Sequence, residues 1–219
     1  GFWVLKEACL QMYNWQQQFD SLIDWKISVN ISSKQLALPN FIDQVEQILA
    51  ETKLDPNNLK LEITESSLVE DAQQTIAILK QLKSSGIEFS LDDFGTGYSS
   101  LSYLHQFPFD TLKIDRSFVN SIGDNIEKLG IVRAIITLAR NLGMDTIAEG
   151  IETVNQLTRL KALKCEYGQG YYLSKPLDQA ILENLITADL AKPLKVESTS
   201  YRSLMDDELA REQLLFQIE

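Results

Sequence analysis

The feature that most constrains this chain is a regular alternation of short β-rich runs with segments whose apolar residues recur every three or four positions. Helical spacing runs through Phe2 to Phe19, Phe41 to Leu49, Leu68 to Leu82, Ile126 to Leu142, Val154 to Leu163 and Ala180 to Ile186. Between them lie Lys26 to Ile31, Leu59 to Thr64, Ile87 to Leu91, Thr111 to Ile114 and Asp145 to Ala148, with a weaker strand candidate at Lys164 to Glu166. Such alternation predicts βα units on a mainly parallel sheet, and this many units suit a (β/α) barrel that lacks its beginning better than a small open sheet. The punctuation agrees, since Asp55-Pro56-Asn57-Asn58 and Ser84-Ser85-Gly86 break the pattern just before strands. After residue 188 the pattern loosens, with Pro193 and Ser198 to Ser200, before a last helical stretch from Met205 to Ile218. The expected organisation is one α/β domain over residues 1–188 and a linker with an appended helix over 189–219.

The chemistry is bounded by charge and by the scarcity of soft ligands. With 20 basic and 31 acidic residues the net charge is -11, and no basic stripe offsets it, which argues against a long nucleic-acid partner. Cys9 and Cys165 lie far apart without metal-type spacing, so a disulfide framework or zinc site is not expected and a reducing, cytoplasmic setting is. No run reaches the roughly 18 to 20 apolar residues that cross a bilayer. The chain opens at Gly1 directly into helical pattern, as a piece of a longer protein would, and an anchor elsewhere in the parent stays open.

Residues two apart on a strand share a face, so each run divides into two sets. Ile27, Val29 and Ile31 alternate with Ser28, Asn30 and Ser32; Leu59, Leu61 and Ile63 alternate with Lys60, Glu62 and Thr64; Leu112 and Ile114 alternate with Lys113 and Asp115. Asp92-Asp93 closes one strand and Glu149 another. Asn30, Glu62, Asp92, Asp93, Lys113, Asp115 and Glu149 therefore gather at the C-terminal strand ends, where parallel α/β folds carry their active sites. One carboxylate there is ordinarily a solvated strand end or half of an ion pair. Several together repel one another unless cations neutralise them. Oxygen donors, with no thiol spacing and with His105 as the sole histidine, point to a hard ion such as Mg²⁺ or Mn²⁺. Two such ions about 4 Å apart suit in-line displacement at phosphorus.

These residues stand in a pattern that resembles the EAL family of cyclic di-GMP phosphodiesterases. Asn30 in Val29-Asn30-Ile31-Ser32, Glu62 and Glu65 in Leu61-Glu62-Ile63-Thr64-Glu65, and Asp92-Asp93-Phe94-Gly95-Thr96-Gly97-Tyr98-Ser99-Ser100-Leu101 match in kind and order. So do Leu112-Lys113-Ile114-Asp115, Ala148-Glu149-Gly150-Ile151-Glu152 and Tyr167-Gly168-Gln169-Gly170-Tyr171. The resemblance implies a modified (β/α)₈, TIM-like barrel that hydrolyses cyclic di-GMP to linear pGpG with Mg²⁺ or Mn²⁺, Ca²⁺ being inhibitory. It implies Asn30, Glu62 and Asp92 around a first ion and Asp92, Asp93 and Glu149 around a second. Lys113 would orient or activate the attacking water with Asp115 beside it, and Glu152 and Gln169 would complete the surroundings; Glu149 is open between ligand and base. Glu65 would pin the loop from Asp93 to Ser99, which in the family lies near a homodimer interface. The resemblance also places the Glu-Ala-Leu motif before residue 1, so a first strand is expected to be lacking here, and a sensory or GGDEF-type domain is expected upstream in the parent.

Three other readings compete. A degenerate EAL domain would bind cyclic di-GMP without cleaving it, but the downstream catalytic positions are filled. Asp93-Phe94-Gly95 alone suggests a protein kinase, and the glycine-rich loop, Val-Ala-Ile-Lys strand and His-Arg-Asp loop of a kinase are missing. A non-enzymatic scaffold leaves the converging carboxylates unexplained.

Overall fold

The computed structural model describes residues 1–68, 72–95, 104–120, 122 and 126–191. Among these residues six parallel strands, β1 Ile27–Ile31, β2 Leu59–Thr64, β3 Glu88–Phe94, β4 Thr111–Ile114, β5 Asp145–Ala148 and β6 Tyr167–Gly168, lie side by side in chain order. Helices α1 Phe2–Gln18, α2 Ser33–Leu36, α3 Phe41–Thr52, α4 Ala72–Ser84, α5 Arg116–Val119, α6 Ile126–Asn141, α7 Val154–Ala162 and α8 Gln179–Ala191 fall before, between and after them. Strands that keep their sequence order without reversal follow the winding of a TIM-like barrel, not that of a doubly wound sheet. Among the described residues β1 and β6 are each paired on one side only.

Alternation on the strands sets what faces the helices and what faces inward. Ile27, Val29, Ile31, Leu59, Leu61, Ile63, Phe89, Leu91, Leu112 and Ile114 are all buried, in one apolar core with Leu5 and Met12 of α1, Val45 of α3, Leu79 and Leu82 of α4 and Val132 of α6. In-register parallel neighbours present the same face, and the row Asn30, Glu62, Ser90, Thr111 and Asp145 crosses β1 to β5 on the other one. The inner face is thus polar at this level from β1 to β5, while further up Ile147 of β5 stands level with Lys113. At its lower end Lys60 donates to Thr111 Oγ1 at 3.0 Å and pairs with Glu88, which also pairs with Lys26.

The strand at the end of the sheet corrects one expectation. It falls at Tyr167–Gly168, not Lys164 to Glu166. Lys164 has φ 58 and closes the turn after α7, while the Glu166 carboxylate accepts the Thr146 N–H. The expected helix from Leu68 begins at Ala72 among the described residues, and Glu65–Leu68 forms a 3₁₀ turn directly after β2. β3 runs on from its expected end at Leu91 to Phe94, and α8 runs to Ala191. The stretch from Met205 to Ile218 lies outside the described residues, which contain no helix long and apolar enough to cross a membrane.

Candidate active site

β4 carries the centre of the site. Lys113 is fully buried, and its Nζ lies 2.6 Å from Glu62 Oε2, 2.8 Å from Glu149 Oε1 and 3.1 Å from Asp92 Oδ1. Glu62 comes from β2, Asp92 from β3, and Glu149 from the residue after β5, whose N–H extends the sheet by donating to Ile114 O at 3.1 Å. Gln169 continues β6 in the same way, its N–H on Ala148 O at 2.8 Å, and its Nε2 donates to Glu149 Oε1 at 2.8 Å. Strand ends thus position every one of these side chains.

Asp92 and Asp93 are adjacent and would point to opposite faces of a regular strand. Two irregularities bring them together. The pairing of β3 with β4 shifts register between Leu91 and Phe94, and Asp93 takes the left-handed backbone at φ 56, which Asp tolerates better than most residues. Carboxylate oxygens of Asp92, Asp93 and Glu149 consequently lie within 4.8 Å of one another. The Asp93 N–H also donates to Asp92 Oδ1 at 3.0 Å, fixing that carboxylate.

The electrostatics follow from burial among like charges. Burial opposes the Lys113 charge, yet Glu62, Glu149 and Asp92 outweigh it and hold the ammonium well above its ordinary range. Burial pushes the Glu149 carboxyl up to about 7, Lys113 pulling it down and Asp92 pushing it further up. Asp93 is raised by burial first, then by Asp92 and Asp115. A hard divalent cation fits this set: the clustered donors are all oxygen, their spacing suits a shared ion, and carboxyls raised by burial and by their like-charged neighbours relax when a cation lies between them.

Glu65 lies outside this group. It is buried in the 3₁₀ turn after β2 and accepts the Gly95 N–H at 2.7 Å. Gly95 has φ 94, and a side chain there would meet the Phe118 ring at 2.8 Å, so the chain leaves β3 by a turn that favours glycine. Residues 96–99 of the expected loop lie outside the described residues. Asp115 caps α5 by accepting the Ser117 N–H at 2.9 Å, a second task beside its charge on Asp93. Asn30 is level with Glu62 in the sheet but exposed, and Glu152 is exposed with its N–H on Gln156 Oε1. No side-chain contact of these two with the cluster is seen among the described residues. His105 is exposed and outside the group. The ion pairs of Lys113 were not readable from sequence, which placed it on the right face without its partners.

Fold and site together define a parallel barrel-type domain with a cluster of carboxylates at the strand C-termini that could hold a cation. Residues 1–176 match the family model described as the EAL domain, and the chain belongs to that family. It is 44% identical over 177 residues, 81% of its length, to the bifunctional diguanylate cyclase/cyclic di-GMP phosphodiesterase MucR of Pseudomonas aeruginosa. It is 39% identical over 196 residues, 88% of its length, to the cyclic di-GMP phosphodiesterase NbdA of the same organism. The chain spans about a quarter of these relatives, 26% and 25%. The MucR phosphodiesterase in complex with c-di-GMP superposes with a TM-score of 0.79 at 43% identity, over 83% of this chain and 73% of that one. The EAL domain of Mycobacterium smegmatis DcpA gives 0.81 at 40%, over 86% and 84%. The neighbours confirm the TIM-like barrel class.

Proposed function

We propose that this domain hydrolyses cyclic di-GMP to linear pGpG with Mg²⁺ or Mn²⁺. The observation that carries the proposal is the convergence of Asp92, Asp93 and Glu149 around one point beside a buried lysine, in a family whose relatives MucR and NbdA bear that activity in their names. Asn30, Glu62 and Asp92 would hold one ion, and Asp92, Asp93 and Glu149 the other. When bound, such ions supply Lewis acidity at the phosphoryl oxygens and lower the pKa of water. The chain's own residues do the rest. Lys113, its ammonium engaged by Glu62, Asp92 and Glu149, orients the attacking water through these carboxylates, and Glu149, steadied by Gln169, takes its proton. The water oxygen bonds to phosphorus as the P–O3′ bond breaks, and the departing 3′-oxygen takes a proton from solvent while Glu149 returns the one it accepted to solvent. Asp115 sits beside the water and Glu152 in the outer surroundings. Glu65 holds the start of the Asp93 to Ser99 loop, which we assign to contact with a second copy. A sensory or GGDEF-type domain in the parent protein and a cytoplasmic location complete the reading.

Incubation with cyclic di-GMP and Mn²⁺, followed by chromatography, tests it: pGpG is the expected product, and tight binding with no product favours a receptor instead. Replacing Mg²⁺ by Ca²⁺ is expected to stop turnover while cyclic di-GMP still binds. Ca²⁺ bonds run about 2.3–2.6 Å against about 2.0–2.1 Å for Mg²⁺, which misaligns two closely spaced ions. Equal initial rates in the two ions would contradict this.

A further inference from the structure

This inference rests on the metal-binding reading of the cluster. An ammonium group has three N–H donors. Lys113 Nζ donates to Glu62 Oε2 at 2.6 Å and lies within ion-pair distance of Glu149 Oε1 at 2.8 Å and Asp92 Oδ1 at 3.1 Å. The acceptors belong to β2, β3 and the residue after β5, so one cation ties four neighbouring strands together at the site, counting its own β4. The lysine is 0% exposed, so neither water nor a salt cation reaches that position as it stands. Without the ammonium, Glu62, Asp92 and Glu149 would face one another with Asp93 close by, and buried like charges without a partner are strongly unfavourable.

We propose that Lys113, apart from any part in the reaction, is the resident counter-cation of the site: it holds Glu62, Asp92 and Glu149 together when no divalent ion is bound, so that ions enter a cluster already gathered. Two other roles make different predictions. A lysine that only orients water leaves stability unchanged when removed. A lysine that only packs or pairs within the fold costs the same stability whether or not divalent ions are present.

The test is the melting temperature of the protein, of Lys113→Met and of Lys113→Met/Glu62→Gln, each in EDTA and in saturating Mn²⁺, with Mn²⁺ binding followed by calorimetry. In EDTA, Lys113→Met should melt lower than the wild type by about 6 °C or more, the scale of a broken buried ion pair in a chain of this size. Mn²⁺ should close about half of that gap or more, because for the variant it brings both binding and the missing positive charge. Adding Glu62→Gln should raise the melting temperature of Lys113→Met in EDTA, although it neutralises a second member of the same ion pair. If Lys113→Met does not fold in EDTA, recovery of folded protein by Mn²⁺ and by Glu62→Gln is the same result. An absent gap, an equal gap in EDTA and Mn²⁺, or a double variant no more stable than Lys113→Met overturns the proposal. Wild-type protein that binds no Mn²⁺ by calorimetry overturns the metal reading, and the EDTA comparison of single and double variants then decides the counter-cation role separately.

Discussion

Asp92→Asn is expected to lower cyclic di-GMP hydrolysis on the order of 1,000-fold while leaving the melting temperature close to that of the wild type. Asp92 alone belongs to both proposed ion sites, so losing its charge weakens each. The substitution keeps the shape of the side chain. Asn Oδ1 can still accept the Asp93 N–H, a contact of 3.0 Å in the wild type, and Lys113 keeps Glu62 and Glu149. Chemistry and stability should therefore separate. Asp145→Asn, at the opposite end of β5 and exposed, is the control and should turn over as the wild type does. Initial rates at saturating Mn²⁺ check both, and a loss smaller than about tenfold in Asp92→Asn would remove Asp92 from the site.

Glu65→Ala is expected to lower turnover about 100-fold and to weaken Mn²⁺ binding, because small misplacements of a reacting group are costly. The path runs through the backbone. Glu65 accepts the Gly95 N–H at 2.7 Å, two residues beyond Asp93, whose φ of 56 directs its carboxylate into the cluster. Release of Gly95 frees the turn that maintains this geometry. Glu65→Gln keeps an acceptor oxygen in the same place and should retain most of the activity. If Glu65 instead serves only as an acid at the start of a helical turn, Glu65→Ala would melt slightly lower and turn over normally, since such an acid is worth about 0.3 to 1 kcal/mol. Turnover and melting temperature measured on both variants distinguish the two roles.

The sheet was legible where β-branched and aliphatic residues alternate. Leu59–Thr64, Thr111–Ile114 and Asp145–Ala148 stand where the pattern predicts them, and the alternation assigned Glu62 and Lys113 to the inner face. It failed at Tyr167–Gly168, a strand of two residues with no β-branched side chain. Just beyond it, a Cβ at Gly170 would meet the Ile151 backbone nitrogen at 2.2 Å, a tertiary constraint without periodicity. The four-residue helices Ser33–Leu36 and Arg116–Val119 are about one turn each, too short to show a period; the signal available was the cap, Ser32 with Gln35 and Asp115 with Ser117. At the site, residue types and order picked out Glu62, Asp92, Asp93, Lys113, Glu149 and Gln169, which the structure brings together, but the convergence of Asp92 with Asp93 depends on a register shift and a left-handed residue that no alternation rule contains. The lysine's three carboxylate partners likewise depend on how four strands are stacked, and only the structure supplies that.

Cleavage of cyclic di-GMP by the oxygen cluster around Lys113, as proposed, depends on bound divalent cations. Its most direct test is the rate of pGpG formation before EDTA, in excess EDTA, and after Mn²⁺ is restored above the chelator. Hydrolysis should be lost in EDTA and return with Mn²⁺, with the protein folded throughout by circular dichroism; undiminished pGpG formation in EDTA would show that the cluster does not act through bound cations.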